Sequence, residues 1–180
     1  MGRPKALLPL GGKTFIDNIL DAISQSSIRE TIVVVGHHRA EIEQHVTAPV
    51  RIVFNPDYEQ GMVTSIQTGI RALPPETIGA ALFLVDHPIV DSGTIEALIA
   101  RLAADRIVLP VYQGRRGHPV LFGSEILQEI LGLTASQGAN IVVRKDPSRI
   151  VQVPVNAPGI LVDVDTPEDF QKLQNDYEPR

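Results

Sequence analysis

The sequence predicts an α/β fold built on a mostly parallel sheet, and three observations carry that prediction. Apolar, β-branched runs alternate with amphipathic stretches almost to the end of the chain, the pattern of a sheet covered by helices on both faces. Thr31-Ile-Val-Val-Val-Gly36 is uninterrupted, as in strands buried on both faces. Two further apolar runs, 80–85 and 160–162, each end abruptly in acidic residues, at Asp86-His87-Pro88 and at Asp163-Val164-Asp165. A strand that delivers a carboxylate at its C-terminal tip places it at the edge where open α/β sheets bind ligands.

The elements follow in order. Thr14 caps a helix to about residue 26, with Phe15, Ile16, Ile19, Leu20 and Ile23 on one face. The strand at 31–36 leads to a short polar helix at 40–45, a strand at 51–54 and a helix at 63–73 inscribed by Val63, Ile66, Ile70 and Leu73. After the strand that ends at Asp86, Ser92 caps a helix to about 104, with Ile95, Leu98, Ile99 and Leu102 inward and Glu96 outward. A strand at 107–112, a glycine-rich turn at 113–117, a strand at 119–122 and a helix at 125–131 come next. The segment 139–144 fits no single template, and strands are expected at 150–153 and 160–162. The last helix opens with Thr166 as N-cap, Pro167 in the first turn and Asp169 closing a capping box.

Composition narrows the function classes. The 180 residues fit one domain spanning 1–180, 43% hydrophobic and 21% charged, with no repeat or low-complexity linker. A net charge of −5 argues against a nucleic-acid surface, though not against a nucleotide substrate. The absence of cysteine excludes disulfides, thiolate metal sites and cysteine nucleophiles. Apolar runs stay far below the ~20 residues that span a bilayer, and the N-terminus lacks a secretory pattern, so a cytoplasmic protein is expected.

Each candidate motif has an ordinary explanation beside the chemical one. Asp-x-Pro is a common exit from a strand, and Thr166-Pro-Glu-Asp169 starts a helix in any protein. Asp163 and Asp165, however, would share one side of an extended segment, where two carboxylates repel unless a cation, lysine or arginine lies between them. Arg3 and Lys5 sit on a proline-rich loop start, and Gly61-Met-Val-Thr-Ser65 opens a helix with free N–H groups suited to an anion. Arg115-Arg116-Gly117-His118-Pro119 is either an exposed turn or a pair of guanidinium forks for phosphate. His37, His38 and His45 form no ligand triad and read as surface residues.

Together these segments resemble the MobA-like nucleotidyltransferases, and within them the molybdenum cofactor cytidylyltransferase branch. The likeness runs through Gly2-Arg-Pro-Lys-Ala-Leu-Leu-Pro-Leu-Gly-Gly12, Asn55-Pro56 to Ser65, Val85-Asp-His-Pro88, Gly114-Arg-Arg-Gly-His-Pro-Val-Leu-Phe122 and Asp163-Val-Asp-Thr-Pro-Glu-Asp169. The resemblance implies a three-layer α/β/α, glycosyltransferase-A-like fold that joins CTP to a molybdopterin-type cofactor and releases pyrophosphate. It gives Lys5, Asp86 and Asp165 the catalytic roles, with Mg²⁺ held by Asp86 and Asp165. Arg3, Lys5 and Ser65 would bind nucleotide, and Arg115, Arg116 and His118 the acceptor. A molybdoenzyme or its chaperone is an expected protein partner, and nucleic acid and membrane are not.

Two departures qualify that picture. His87 stands where the family favours small residues. The family also begins with a strand and a Leu-Ala-Ala-Gly-x-Ser-x-Arg loop just before the Met-Gly at which this sequence opens. The expectation is therefore that a central strand is missing between 31–35 and 82–85, leaving the chain marginally folded, or completed by a partner strand, and poor at binding NTP. The alternative readings are a non-catalytic cofactor-binding or chaperone relative, and a nucleotidyltransferase for another NTP or a sugar-phosphate acceptor.

Overall fold

A computed structural model describes residues 4–177. Arg3, expected at the nucleotide phosphates, lies outside the described residues.

The chain starts with a 3₁₀ turn at Lys5–Leu7, then a hairpin of β1 (Pro9–Leu10) and β2 (Lys13–Thr14). Gly11 and Gly12 make its two-residue turn, both with positive φ (60° and 81°), a conformation that glycine adopts without strain. Helix α1 (Phe15–Ser24) follows at once, and its start is fixed by a capping box between Thr14 and Asp17. The sequence then folds β3 (Ile32–Val35), α2 (Arg39–His45), β4 (Arg51–Phe54), α3 (Met62–Ala72) and β5 (Gly79–Leu82). Helix α4 (Ser92–Ile99) precedes β6 (Ile107–Tyr112), β7 (Arg115–Arg116) and β8 (Val120–Gly123). The chain closes with α5 (Ser124–Leu131), α6 (Asn140–Lys145), β9 (Ile150–Pro154) and α7 (Pro167–Tyr177).

The sheet is mixed. β3 pairs with β4 in parallel, residue 32 opposite 51 through 35 opposite 54. β8 lies between β5 and β6, antiparallel to both, because β6 returns through the tight β7 hairpin rather than through a crossover helix. β9 pairs in parallel on the other side of β6. Among the described residues no ladder joins β3 to β5. Helices span that interval from two sides. α1 packs on Val33 through Ile16 and Leu20 and on Phe83 through Ile19, Ala22 and Ile23. Gly69 of α3 lies against Val34, and Ile66, Ile70 and Leu73 pack on the same buried cluster as Ala80 and Leu82.

The densest core surrounds β6. Ile107 and Val108 are fully buried, with Phe122, Ile126 and Ile130 on one face and Leu98 and Leu121 on the other. Burial at this density is what makes the sheet a rigid platform for residues at its edges.

Several expectations change in detail. Segment 139–144 resolves as α6. The N-cap of α4 is Asp91 rather than Ser92, its carboxylate accepting from the Thr94 N–H at 2.7 Å, and the helix stops at Ile99 instead of continuing to 104. The strand expected at 160–162 is a 3₁₀ turn, Pro158–Leu161, continuing into an extended stretch. Its apolar character serves packing: Ile160 is 1% exposed and Val164 fully buried, without a strand neighbour.

Candidate active site

The site is assembled from three backbone crossings. At the end of the β5 run the chain turns, the His87 N–H donating to the Leu84 carbonyl at 3.0 Å, so that Asp86 and His87 face one hollow. The Val164 N–H donates to the Asp86 carbonyl at 2.9 Å and pins 163–165 beside that turn. The His118 N–H donates to the Ile160 carbonyl at 3.1 Å, which brings in the strand after the β7 hairpin. Gly117 permits this last approach, since a Cβ there would stand 2.4 Å from the Ile160 carbonyl oxygen. Beneath the crossings Val164 packs with Leu8, Leu10, Phe15 and Leu173, an apolar floor that sets the backbone but not the side-chain charges.

Two polar groups result. In the first, Asp86, His87 and Asp163 each direct a ligand atom to within 4.8 Å of the others. His87 Nε2 is 4.0 Å from Asp163 Oδ1, too far for a hydrogen bond. Asp86 Oδ1 and His87 Nδ1 are buried and have no hydrogen-bond partner among the described residues. The His118 ring lies 4.4 Å from that of His87, tilted by 37°, and its Nδ1 is also unpartnered. Burial, with the neighbouring His87 adding to it, pushes the His118 imidazole down to about 4, against the opposing pull of Asp86. His118 is thus neutral near pH 7.

In the second group Lys5, carried on the first 3₁₀ turn, donates from Nζ to Asp165 Oδ1 at 2.7 Å. This answers the repulsion expected between Asp163 and Asp165: lysine takes one carboxylate and leaves the other facing Asp86 and His87. The sequence names Asp86 and Asp165 as the metal ligands, with Asp163 noted only as a carboxylate on the same side as Asp165 and His87 given no role. The structure brings Asp163 and His87 to Asp86 and puts Asp165 on Lys5. The signal for His87 was its place directly after Asp86.

The other expected residues sit nearby on different supports. Ser65 lies in the first turn of α3, where Asn55, only 1% exposed, donates from Nδ2 to both Ser65 Oγ and Thr64 Oγ1 at 2.9 Å. Ser65 Oγ is therefore an acceptor in that bond, and its own proton is free to point elsewhere. Gly61 enters α3 with φ 133°, a value that favours glycine, and an added Cβ would also stand 2.8 Å from the Ala135 carbonyl oxygen. Arg115 and Arg116 are exposed on β7, beyond a two-residue turn in which Gln113 and Gly114 both have positive φ (47° and 78°). Neither arginine has an ion-pair partner among the described residues. His45, expected at the surface alone, is half-buried and 3.0 Å from Asp17 at the start of α1.

Residues 1–150 match the MobA-like NTP transferase domain. The chain belongs to that family. It is 27% identical to the molybdenum cofactor cytidylyltransferase of Escherichia coli (strain K12) over 98% of this chain and 90% of the relative. It is equally 27% identical to nicotine blue oxidoreductase of Paenarthrobacter nicotinovorans, over 96% of this chain and 89% of the relative. A Mycobacterium tuberculosis H37Rv protein solved with manganese superposes with a TM-score of 0.79 at 26% identity, covering 97% of this chain and 93% of its own. The fold is that of the nucleotide-diphospho-sugar transferases, and this MobA-like chain is a nucleotidyltransferase. No helix among the described residues is long and apolar enough to cross a membrane.

Proposed function

We propose that this MobA-like enzyme transfers a cytidylyl group from CTP to the terminal phosphate of a molybdopterin-type cofactor. In this reaction an acceptor phosphate oxygen attacks the α-phosphorus, the bond from that phosphorus to the bridging β-phosphate oxygen breaks, and pyrophosphate leaves. The observation that carries the reading is the clamp from Val164 to Asp86, which gathers three carboxylates and Lys5 at one sheet edge.

The difficulty of the reaction is charge. Two phosphate charges at about 4 Å repel by roughly 4 kcal/mol at an effective dielectric near 20. Lys5 would exchange Asp165 for the triphosphate, and Ser65 Oγ–H would donate to a nucleotide oxygen. Asp86, with Asp163 or Asp165 beside it, suits a divalent cation. Carboxylates alone would take Mg²⁺, and the M. tuberculosis structure carries manganese. When bound, such a cation neutralises the charge developing on the phosphate oxygens. Arg115 and Arg116 would close on the acceptor phosphate, with neutral His118 beneath them. Catalysis then needs positioning and charge stabilisation, and no protein nucleophile. The enzyme would work in the cytoplasm and pass its product to a molybdoenzyme or that enzyme's chaperone.

The test is to incubate the protein with molybdopterin cofactor and each NTP in turn, following pyrophosphate. Release with CTP well above that with GTP, ATP or UTP is expected. Preference for another NTP would reassign the base. Release with a sugar phosphate and not with the pterin would reassign the acceptor, and release under none of these conditions would favour a cofactor-binding protein.

A further inference from the structure

Asp86 and Asp163 account for a divalent cation without help from nitrogen, yet an imidazole stands in the same group. We propose that His87 is a ligand of that cation, making a mixed oxygen–nitrogen site that prefers first-row transition-metal dications of the Mn²⁺ and Co²⁺ kind over Mg²⁺.

Three features support a ligand role. The Leu84–His87 turn folds two adjacent side chains into one hollow, where Asp86, His87 and Asp163 have ligand atoms within 4.8 Å of each other. On an octahedral ion with bonds of about 2.1 Å, neighbouring ligands stand about 3.0 Å apart and opposite ones about 4.2 Å, so the three atoms must draw together by side-chain rotation to close on one ion. The polar atoms are also unspent. Asp86 Oδ1 is buried without a partner among the described residues, which costs on the order of 1–3 kcal/mol unless something binds there, and His87 Nε2 faces Asp163 Oδ1 across 4.0 Å, too far for a hydrogen bond. Finally, the group is held and reachable at once. The His118 ring lies against that of His87 and restricts its rotation, whereas the Asp163 side chain is 50% exposed and leaves an entry from solvent.

A hydrogen-bonded ion pair does not explain the arrangement, because His87 Nε2 and Asp163 Oδ1 stand 4.0 Å apart. The donor set then decides the ion. Mg²⁺ takes oxygen ligands and sheds water reluctantly, whereas imidazole suits the transition metals.

The inference rests on the proposed function for the cation's purpose, but its binding can be read without turnover. Chelator-stripped protein would be titrated with MnCl₂ and MgCl₂ by calorimetry, and the Mn²⁺ complex examined by pulsed electron paramagnetic resonance for ¹⁴N coupling. The expected result is Mn²⁺ bound at least about tenfold more tightly than Mg²⁺, near 1.4 kcal/mol, with one imidazole nitrogen coupled to the ion. His87→Asn should abolish the coupling and bring the two affinities to within about threefold of each other. His118→Asn should keep both the coupling and the preference. No nitrogen coupling in the unaltered protein, a reading that needs no variant to fold, would overturn the proposal. Coupling that survives His87→Asn and disappears in His118→Asn would do the same. Coupling and preference in a protein that releases pyrophosphate from no NTP would uphold the ligand and overturn the proposed function. CTP-dependent release with no nitrogen coupling would do the reverse.

Discussion

The corner formed by Asp86, His87, His118 and Asp163 and the hairpin that carries Arg115 and Arg116 are joined through the single residue Gly117, and they are built in opposite ways. The corner is fixed before any ligand arrives: three backbone hydrogen bonds cross it, His87 is 15% exposed, and its unsatisfied atoms are enclosed. The hairpin is a two-residue turn with two exposed arginines and no ion pair to orient them among the described residues. The difference matches two chemical demands. Charge stabilisation at the reacting phosphorus rewards donors that do not reorganise during the reaction. Capture of a bulky second substrate needs an open approach, and guanidinium forks that find a phosphate can order when it binds.

The largest effect should come from the fixed side. Asp86→Asn keeps the shape of the side chain and removes its charge. Turnover should fall by about 100-fold or more, the scale seen when one preorganised electrostatic contact at a transition state is lost. Thermal stability should hold or rise slightly, because Asp86 Oδ1 has no partner to lose. Parallel measurement of kcat and of the melting midpoint checks both halves. A drop in turnover that only tracks unfolding would make Asp86 a structural residue and remove the contrast between corner and hairpin.

The sequence made much of this legible, and unevenly so. Helices with their own caps were readable because the cap is local: Thr14 with Asp17, and Thr166 with Asp169. The 107–112 strand was readable from its unbroken apolar run, which the structure buries on both faces. Ile160-Leu161-Val162 misled for the same reason. Its apolarity serves burial: Val162 packs against the cluster of Leu8, Leu10, Phe15, Val164 and Leu173, and Ile160 is 1% exposed beside Gly117, while Pro158 and Gly159 open a 3₁₀ helix. The places of Asp86 and of 163–165 after apolar runs pointed to a shared site, expected between Asp86 and Asp165, and the structure groups Asp86 with Asp163. Which carboxylate serves which partner was not, since the pairing of Lys5 with Asp165 spans 160 positions and is settled only by the three-dimensional path.

Lys5 lies between the two regimes, already paired yet required to change partners. The pair is partly exposed, with side chains 31% and 67% accessible, so its contribution to stability is below about 1 kcal/mol. Lys5→Ala should leave the melting midpoint nearly unchanged and raise the KM for NTP about tenfold, equivalent to ~1.4 kcal/mol. Lys5→Arg should recover part of that loss. Steady-state kinetics at saturating acceptor would check it. A clear fall in stability with no change in KM would mean that Lys5 serves Asp165 alone, and the phosphate contact would have to come from elsewhere.

The smallest effect should come from the open side. Arg116 sits in the β7 ladder opposite Val111, so its backbone is held while its guanidinium is free. Arg116→Ala removes a fork that the folded protein does not use, and stability should not move measurably. Binding of the acceptor should weaken about fivefold, close to 1 kcal/mol, with the KM for CTP changed by less than about threefold. Arg116→Lys keeps the charge but not the two-pronged geometry and should rescue only part of the loss. The measurement is a pair of KM values, one for each substrate with the other saturating. Equal losses for both would mean that the hairpin reaches the triphosphate as well. The corner and the hairpin would then form a single nucleotide site, and the acceptor would need a different surface.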